Sequence, residues 1–145
     1  GNTYHDIGMI WGGRLSSPRG IFADNVNLDD KPVSRHLIYM TDGQMEPFIS
    51  GYNSYGIEAV TNRVAPLNSN TATVTARHTA RFLAACRAVK AQGTTVWVVA
   101  FGTTLTADMR TCSSDGRAYF SSNSAELRQR FRFIASQVAN LRLGE

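Results

Sequence analysis

The sequence predicts an α/β protein whose sheet is mostly parallel and carries helices on both faces. Two short apolar runs, residues 37–41 and 96–101, have the length and composition of buried strands. Segments with helical spacing alternate with these strands, which favours parallel pairing through crossover connections. Because two strands alone make a poor sheet, we expect residues 1–145 to be the C-terminal part of a doubly wound, Rossmann-like domain, a partial sheet that lacks its N-terminal strands.

The first helix is predicted to begin at the amino end of the chain. Thr3 and Asp6 fit the Ser/Thr-x-x-Glu/Asp capping pattern, so Thr3 is expected to be the N-cap and Asp6 its partner in a capping box. Apolar residues then recur at helical spacing, at Ile7, Ile10, Trp11 and Leu15. The Ser-Pro-Arg-Gly run at 17–20 ends this pattern, and the polar stretch from Asp24 to Lys31 is predicted to be a surface loop.

A longer helix is predicted between the two strands. It runs from about Thr73 to Gln92, with Lys90 in its last turn and Gly93 as its stop. One of its faces is apolar and is formed by Phe82, Leu83, Cys86 and Val89. Such a face predicts a helix that packs against the core.

The part of the chain after the second strand is predicted to end in another helix. Residues 103–117 are expected to form a loop, and Ala118 to Phe120 a short edge strand. Asn123, with Glu126 three positions later, is typical of a helix start. An apolar stripe follows, made of Leu127, Phe131, Ile134, Val138 and Leu141. The stripe predicts an amphipathic helix.

Charge and hydropathy argue against nucleic-acid binding and against a membrane span within this sequence. The net charge is +4 and the pI is about 9.4, but the arginines are scattered. No basic run alternates with aromatic residues, so no nucleic-acid partner is expected. No stretch approaches the ~20 consecutive apolar residues that cross a bilayer.

Asp42 stands where the first predicted strand ends, in the run Leu37-Ile38-Tyr39-Met40-Thr41-Asp42-Gly43. Ligands of open α/β sheets bind outside the carboxyl ends of the strands, so a ligand is expected near this carboxylate. A hard cation is a natural ligand, because such cations prefer oxygen donors. The Asp-Gly pair is also ordinary turn chemistry, and the residues alone leave both interpretations open.

Residues 44–72 are predicted to form a long insert that contains prolines, glycines and asparagines. Loops longer than ~12–15 residues are usually functional or disordered. Phe48, Tyr52 and Tyr55 make disorder less favoured. These rings are expected either to pack the insert onto the body or to bind a partner. A short helical turn is predicted near residues 57–60.

The sequence shows no catalytic constellation. His5, His36 and His78 are far apart, and no serine, cysteine or carboxylate near them completes a catalytic arrangement, so each is predicted to be a packing or surface residue. No dinucleotide fingerprint or phosphate-binding loop occurs. The cysteines, Cys86 and Cys112, match no zinc spacing. A buried free thiol at Cys86 and a disulfide both remain open from the residues alone.

Five segments, in a consistent order, carry a similarity to a known family. They are Thr3 to Phe22, Arg35 to Met45, Tyr52 to Arg63, Cys86 to Phe101, and Cys112 with Leu-Arg-Leu at 141–143. Together they resemble the von Willebrand factor A-type domain of Tad pilus-assembly proteins, the TadG-like group. Gly1 to Met9 is similar to the threonine-bearing loop and helix of von Willebrand factor A domains, and Thr41-Asp42-Gly43 to their later aspartate motif.

The resemblance implies a metal-ion-dependent adhesion site that holds Mg²⁺, or Mn²⁺ or Ca²⁺, and it places two of the ligands on Thr3 and Asp42. The family's other ligands belong to a D-x-S-x-S motif that is absent from this sequence. The strand that carries that motif is expected to precede Gly1. The metal site is therefore expected to be incomplete in this chain, with weak binding or none. The resemblance also implies a Cys86–Cys112 disulfide in a cell-envelope protein.

On this basis we expect a non-catalytic protein-recognition or adhesion domain that acts in Tad pilus assembly at the bacterial cell envelope, on the periplasmic or extracellular side. Its partner is expected to be a protein component of pilus assembly or adhesion, and its membrane anchor to lie outside this chain. The insert at about 44–72 would shape specificity. Two alternatives remain: a metal-dependent hydrolase that uses Asp42, and a metal-free scaffold that binds through the tyrosine-rich insert.

Overall fold

The structure is a computed structural model that describes residues 2–26 and 33–142. Its elements, in chain order, are α1 (His5–Ser16), α2 (Ala23–Val26), β1 (Arg35–Thr41), β2 (Tyr52–Asn53), β3 (Gly56–Ile57), α3 (Glu58–Thr61), α4 (Thr71–Ala91), β4 (Thr94–Phe101), α5 (Ala107–Cys112), β5 (Ala118–Ser121) and α6 (Ser124–Arg142). The long helices and strands lie where the sequence predicted them.

A parallel sheet with the strand order β1-β4-β5 forms the centre of the fold. Thr41 lies opposite Ala100 in the β1–β4 ladder, and Phe101 lies opposite Ser121 in the β4–β5 ladder. The carboxyl ends of β1 and β4 therefore meet at one edge of the sheet, which we call the rim. The predicted α/β class with parallel strands is confirmed.

Helices cover the sheet on both faces, and the side chains of β4 alternate between the two cores. The first core packs β1 and β4 against α1, α4 and α5; its buried residues are Met9, Leu37, Phe82, Cys86, Val89, Val96, Val98, Ala100, Met109 and Cys112. The second core lies under α6 and contains Trp97, Val99 and Ile134. Burial on both faces explains why β4 is a continuous apolar run.

β1 is less completely covered than β4. It lies at one end of the sheet order, and its second face carries Ile38 and Met40, which are 42% and 51% exposed. An apolar groove separates this face from α6 and is lined by Ile38, Phe131 and Val138 among others.

The buried face of α1 differs from the predicted one. Trp11 and Leu15 belong to the apolar stripe but are 45% and 54% exposed. The buried residues of this helix are His5, Asp6 and Met9. Two of these three are polar, so hydrophobic spacing predicted the helix but did not identify the residues that it buries.

Two glycines explain how α1 packs on that face. A Cβ at Gly12 would lie 2.8 Å from Cδ1 of Leu37, and a Cβ at Gly13 would lie 2.7 Å from Cγ2 of Val89. At distances this short, a side chain at either position would force the Leu37 or Val89 side chain to shift. The helix therefore approaches β1 and α4 closely at these two glycines, while Met9 adds its side chain to the first core.

The predicted capping box at Thr3 is wrong. α1 begins at His5, and its N-cap is Tyr4, whose side chain makes no capping bond. Thr3 instead pairs with Glu46: the Thr3 N–H donates to the Glu46 carbonyl (3.1 Å), and the Glu46 N–H donates back (2.9 Å). This pairing with the insert holds Thr3 in extended backbone. Asp6 lies in the first turn of α1 but is fully buried and makes no capping box with Thr3.

Two predicted loops contain short helices. Within 103–117, α5 begins after Thr106, whose hydroxyl accepts the Met109 N–H at 3.2 Å. A single capping threonine is a weak signal by itself, and the six residues of α5 are too few for helical periodicity to show. In the predicted loop 24–31, α2 occupies the start, and residues 27–31 lie outside the described residues.

The predicted start of α6 at Asn123 agrees with the structure, whereas α4 begins at Thr71, two residues before its predicted start, after a cap that was not predicted. Asn70 caps α4 by accepting the Thr73 N–H, and Asn123 accepts from the N–H groups of residues 125 and 126 at the start of α6. The short turn predicted near residues 57–60 is α3. Side-chain capping is a local signal, which is why it could be read before any tertiary contact was known.

The structure contains a disulfide between Cys86 of α4 and Cys112 at the end of α5. Both residues are buried in the first core, and their Cα atoms lie 5.1 Å apart. The predicted pairing is confirmed. The bond ties α5 to α4 within the layer of helices that supports the rim.

Candidate functional site

Asp42 is exposed at the rim, directly after β1. The turn that carries it is fixed by the Thr41 hydroxyl, which accepts the Gly43 N–H and donates to the Gly43 carbonyl, both at 3.2 Å. His5 Nε2 donates to the same carbonyl at 3.0 Å. The carboxylate therefore projects into solvent from a turn held on both sides.

Thr3 lies against this turn. A Cβ at Gly43 would come 2.6 Å from Thr3 Oγ1, so any side chain at position 43 would displace the threonine. The backbone pairing with Glu46 keeps Thr3 in this place. The structure thus puts the two predicted oxygen donors, Thr3 and Asp42, on adjoining segments of one rim.

The loops after β1 and β4 are joined to each other. The Gln44 amide donates to Thr103 Oγ1 at 2.9 Å and to the Thr104 carbonyl at 3.1 Å. Below them lies a cavity of about 180 Å³, lined by polar groups from several elements, among them His5, Gln44, Thr79 and Asp108. The sequence did not predict this cavity, because its residues come from four separate segments.

His5 supports the rim from below and is buried. Burial lowers the pKa of His5 from its ordinary value of 6.5, and this effect outweighs the Gly43 carbonyl and the charges of Asp6 and Asp108, which raise it. Because a carbonyl oxygen only accepts, Nε2 carries the proton in the neutral ring. A neutral His5 therefore holds the Asp42 turn.

We expect His5 to make folding stability fall as the pH falls below about 6.5. Its pKa is lower in the folded state than in the unfolded chain, so the unfolded chain takes up a proton first. The stability that neutral His5 contributes is therefore present above the unfolded pKa and is lost as the pH falls through the folded pKa. Urea denaturation from pH about 8 to about 5 measures the slope. The variant His5→Gln, which keeps a donor for Gly43, should lose that slope; an unchanged slope would contradict the assignment.

The insert is fastened to the beginning of α1 and leaves two of its rings in solvent. The Tyr4 hydroxyl accepts the Phe48 N–H at 2.8 Å and the Asn53 side-chain amide at 3.0 Å. Phe48 and Tyr52 are nevertheless 51% and 88% exposed. Of the three predicted partner-binding residues, these two face outward.

Tyr55, the third, points into the body of the protein. Its hydroxyl donates to Asp6 Oδ2 at 2.9 Å, and His78 Nδ1 donates to the same oxygen at 2.8 Å. The other ring nitrogen of His78 lies 3.3 Å from Glu58 Oε1. Asp6, His78 and Glu58 are all buried. We call these three residues the buried charge cluster.

The electrostatics of the cluster keep Asp6 ionised. Burial alone would raise the pKa of Asp6, but the hydrogen bond and charge of His78, together with the Tyr55 hydroxyl, outweigh it, and the pKa is lowered. Arg81 adds a further charge, with Nε 3.4 Å from Asp6 Oδ2. One carboxylate oxygen of Asp6 thus faces three donors.

Sequence reasoning missed this cluster and assigned His78 to packing or to the surface. A signal was present: His78 lies four residues after Val74 and four before Phe82, all on the buried face of α4. A histidine in the middle of an apolar helix face needs polar partners, because buried polar groups are almost always hydrogen-bonded. The partners themselves, Asp6 and Glu58, could not be identified without the fold.

Comparisons of the chain with protein-family models, with curated proteins and with solved structures found no match. The fold and the rim together define an α/β protein with a parallel three-stranded sheet and a solvent-exposed carboxylate at its carboxyl edge. The resemblance to the Tad group stays a prediction.

Within the residues described, the structure contains no helix that is long and apolar enough to cross a membrane.

Thr3 and Asp42 suit a hard cation in their chemistry, because a hydroxyl and a carboxylate supply oxygen donors. Residues 2–26 and 33–142 contain no group of three or more His, Cys, Asp or Glu side chains arranged to hold a metal ion. The two residues therefore fit such a cation as a partial donor set, to which water or other oxygen atoms must add.

Proposed function

We propose that this protein is a non-catalytic recognition domain of the von Willebrand factor A type, which binds its partner at the rim and at the adjoining insert. The observation that carries the proposal is the contact of Thr3 with the turn that bears Asp42. Two oxygen-bearing segments that are far apart in the sequence converge at the edge where ligands of such sheets bind.

Thr3 and Asp42 would hold a divalent cation such as Mg²⁺ or Mn²⁺. When bound, that cation supplies a positive centre for an acidic group of a protein partner. Residues of this chain position the two donors. Gly43 has no side chain and so leaves space for Thr3, and Thr41 and His5 hold the turn through hydrogen bonds to Gly43. A site held by rigid elements loses little entropy when it binds.

The insert supplies apolar contact area beside this polar centre. Phe48 and Tyr52 present exposed rings, and aromatic residues are enriched where proteins recognise one another. The Tyr4 hydroxyl holds both ends of this part of the insert, so the rings are presented from an ordered backbone. The proposed surface thus combines a charged centre with the exposed rings of Phe48 and Tyr52, which we call the aromatic margin.

We further propose that the domain acts in Tad pilus assembly or adhesion, on the periplasmic or extracellular side of a bacterial cell envelope. The five-segment similarity supports this assignment. The buried disulfide supports it too, because such bonds persist in oxidising compartments. The partner would be a protein component of the pilus system, and the membrane anchor would lie outside residues 1–145.

Calorimetric titration of Mg²⁺ and Mn²⁺ into the full-length protein tests the metal site, with a thermal-shift measurement alongside. We expect the wild type to give heat and a raised Tm. Asp42→Ala and Thr3→Ala should each lose the response, because each removes one oxygen ligand. Asp115→Ala is the matched control, since it removes an exposed carboxylate from another loop. No heat and no shift in the wild type would contradict the proposal.

A metal-free scaffold is the second candidate, and the 88% exposure of Tyr52 favours it. In that case the aromatic margin alone would bind the partner. Affinity for a purified pilus component, measured by calorimetry, separates the two functions. Asp42→Ala weakens binding if the cation takes part, whereas Tyr52→Ala alone weakens it if the protein is a scaffold.

A further inference from the structure

The buried charge cluster joins the insert to the body of the protein. Asp6 belongs to α1 and His78 to α4, whereas Glu58 is the first residue of α3, within the insert. The side chains of Asp6 and His78 are 0% exposed and that of Glu58 is 1% exposed. Because these ionisable side chains are shielded from water and join the insert to α1 and α4, their charges can decide whether the insert stays in place.

Both ring nitrogens of His78 face a carboxylate. Nδ1 lies 2.8 Å from Asp6 Oδ2, and Nε2 lies 3.3 Å from Glu58 Oε1. An imidazolium can donate from both nitrogens, but a neutral ring can donate from only one. A neutral His78 would therefore turn a lone pair toward one of the two carboxylates.

Glu58 depends on His78 for compensation. Neither of its carboxylate oxygens has a hydrogen-bond partner among the residues described. His78 Nε2 also makes no hydrogen bond to the residues described. A buried carboxylate without a partner is costly, and a protonated His78 ring, with Nε2 3.3 Å from Glu58 Oε1, would supply the compensating charge.

The other groups that face the cluster do not replace that charge. The rings of Tyr4 and Tyr55 lie 5.1 Å and 5.3 Å from the His78 ring, centroid to centroid, and a tyrosine side chain supplies no positive charge. Burial raises the pKa of Tyr55, and the Asp6 charge adds to this effect against the opposing Arg81. Arg81 itself contacts Asp6 and stacks on Tyr55, with its Cζ 5.1 Å from the ring centre.

We propose that protonated His78 is a latch that holds residues 55–61 of the insert against α1 and α4 and releases them when it loses its second ring proton. The latch is closed while both ring nitrogens carry a proton and opens when one of them loses its proton. Loss of a proton from His78 would loosen the insert as the pH rises, whereas His5 is expected to lower the folding stability of the whole protein as the pH falls. A consequence for partner binding through Phe48 and Tyr52 rests on the proposed function; the latch itself does not.

Two measurements on the wild-type protein, without metal or partner, test the latch. Imidazole ¹⁵N chemical shifts report how many ring nitrogens of His78 are protonated at each pH. Hydrogen exchange of the backbone amides at 55–61, corrected for the intrinsic rate, reports opening of the insert. We expect protection of these amides to fall by about an order of magnitude as the second ring proton is lost, while the β4 amides stay protected.

The variant Glu58→Gln makes the test sharp. Its side-chain amide can donate to an unprotonated Nε2, so the insert should stay protected as the pH rises. Glu46→Gln is the control, because it removes an exposed carboxylate from the same insert and should keep the wild-type profile. If residues 55–61 of the wild type are protected while His78 carries only one ring proton, the proposal is overturned. A wild-type profile in Glu58→Gln would overturn it as well; if that variant does not fold, the nitrogen shifts decide.

Discussion

Replacing Asp6 with alanine should lower the free energy of unfolding by about 3–5 kcal/mol, the range found when one member of a buried ion pair is removed. Asp6 is fully buried and accepts hydrogen bonds from His78 and Tyr55. Its loss leaves the imidazole and the Tyr55 hydroxyl without their acceptor. Urea denaturation near neutral pH measures the change.

The effect of Asp6 should depend on pH with a definite sign. Because its pKa is lowered from the ordinary value of 3.8, the stability it contributes is present above that value and is lost as the pH falls through the folded pKa. The difference between wild type and variant should therefore shrink in strong acid. Asp115→Ala, which removes an exposed carboxylate, should change stability by less than ~0.5 kcal/mol. A change of similar size in both variants would show that the buried pair contributes nothing specific.

The second large effect is expected for Phe82→Ala, at about 3–5 kcal/mol. Phe82 is 1% exposed, and its ring lies 5.4 Å from those of His5 and Tyr39, centroid to centroid. Truncation removes apolar burial and leaves a cavity directly beneath the rim. The free energy of unfolding by urea measures the loss.

The matched control for Phe82 is Phe120→Ala in β5, where the ring is 45% exposed. It removes the same atoms from a half-exposed site, so its cost should be well below that of Phe82→Ala. Equal costs would contradict the packing described for the first core. Because Phe82 supports His5, the variant should also weaken the pH dependence that His5 imposes.

The main elements of the fold could be predicted because their signals are local. β4 is apolar at every position from Val96 to Phe101, which requires cover on both faces and so favours a central parallel strand. The start of α6 follows from the Asn123 side chain that caps it. The position of Asp42 at a strand end followed from the same reasoning. Each signal lies within a few residues of the structure it specifies.

The details of the site could not be predicted in the same way. Thr3 matched a helix cap in its neighbourhood, but a strand-like pairing with Glu46 overrides that preference. Tyr55 was predicted either to pack the insert onto the body or to bind a partner, and the fold places its hydroxyl on Asp6. Glu58 carried no predicted role, and the fold places it against His78. The short α5 carries a capping threonine but too few residues for periodicity to show.

The sequence by itself determined the α/β class, the order of the long elements and the placing of a carboxylate at the carboxyl edge of the sheet. The tertiary structure alone decided which side of α1 is buried, that Thr3 lies on Gly43, and that His78 stands between two carboxylates. The physical reason is the separation along the chain over which each interaction acts. Periodicity, capping and turns act between near neighbours in the chain, whereas the partner of a buried polar group is set by which distant segments the core brings together.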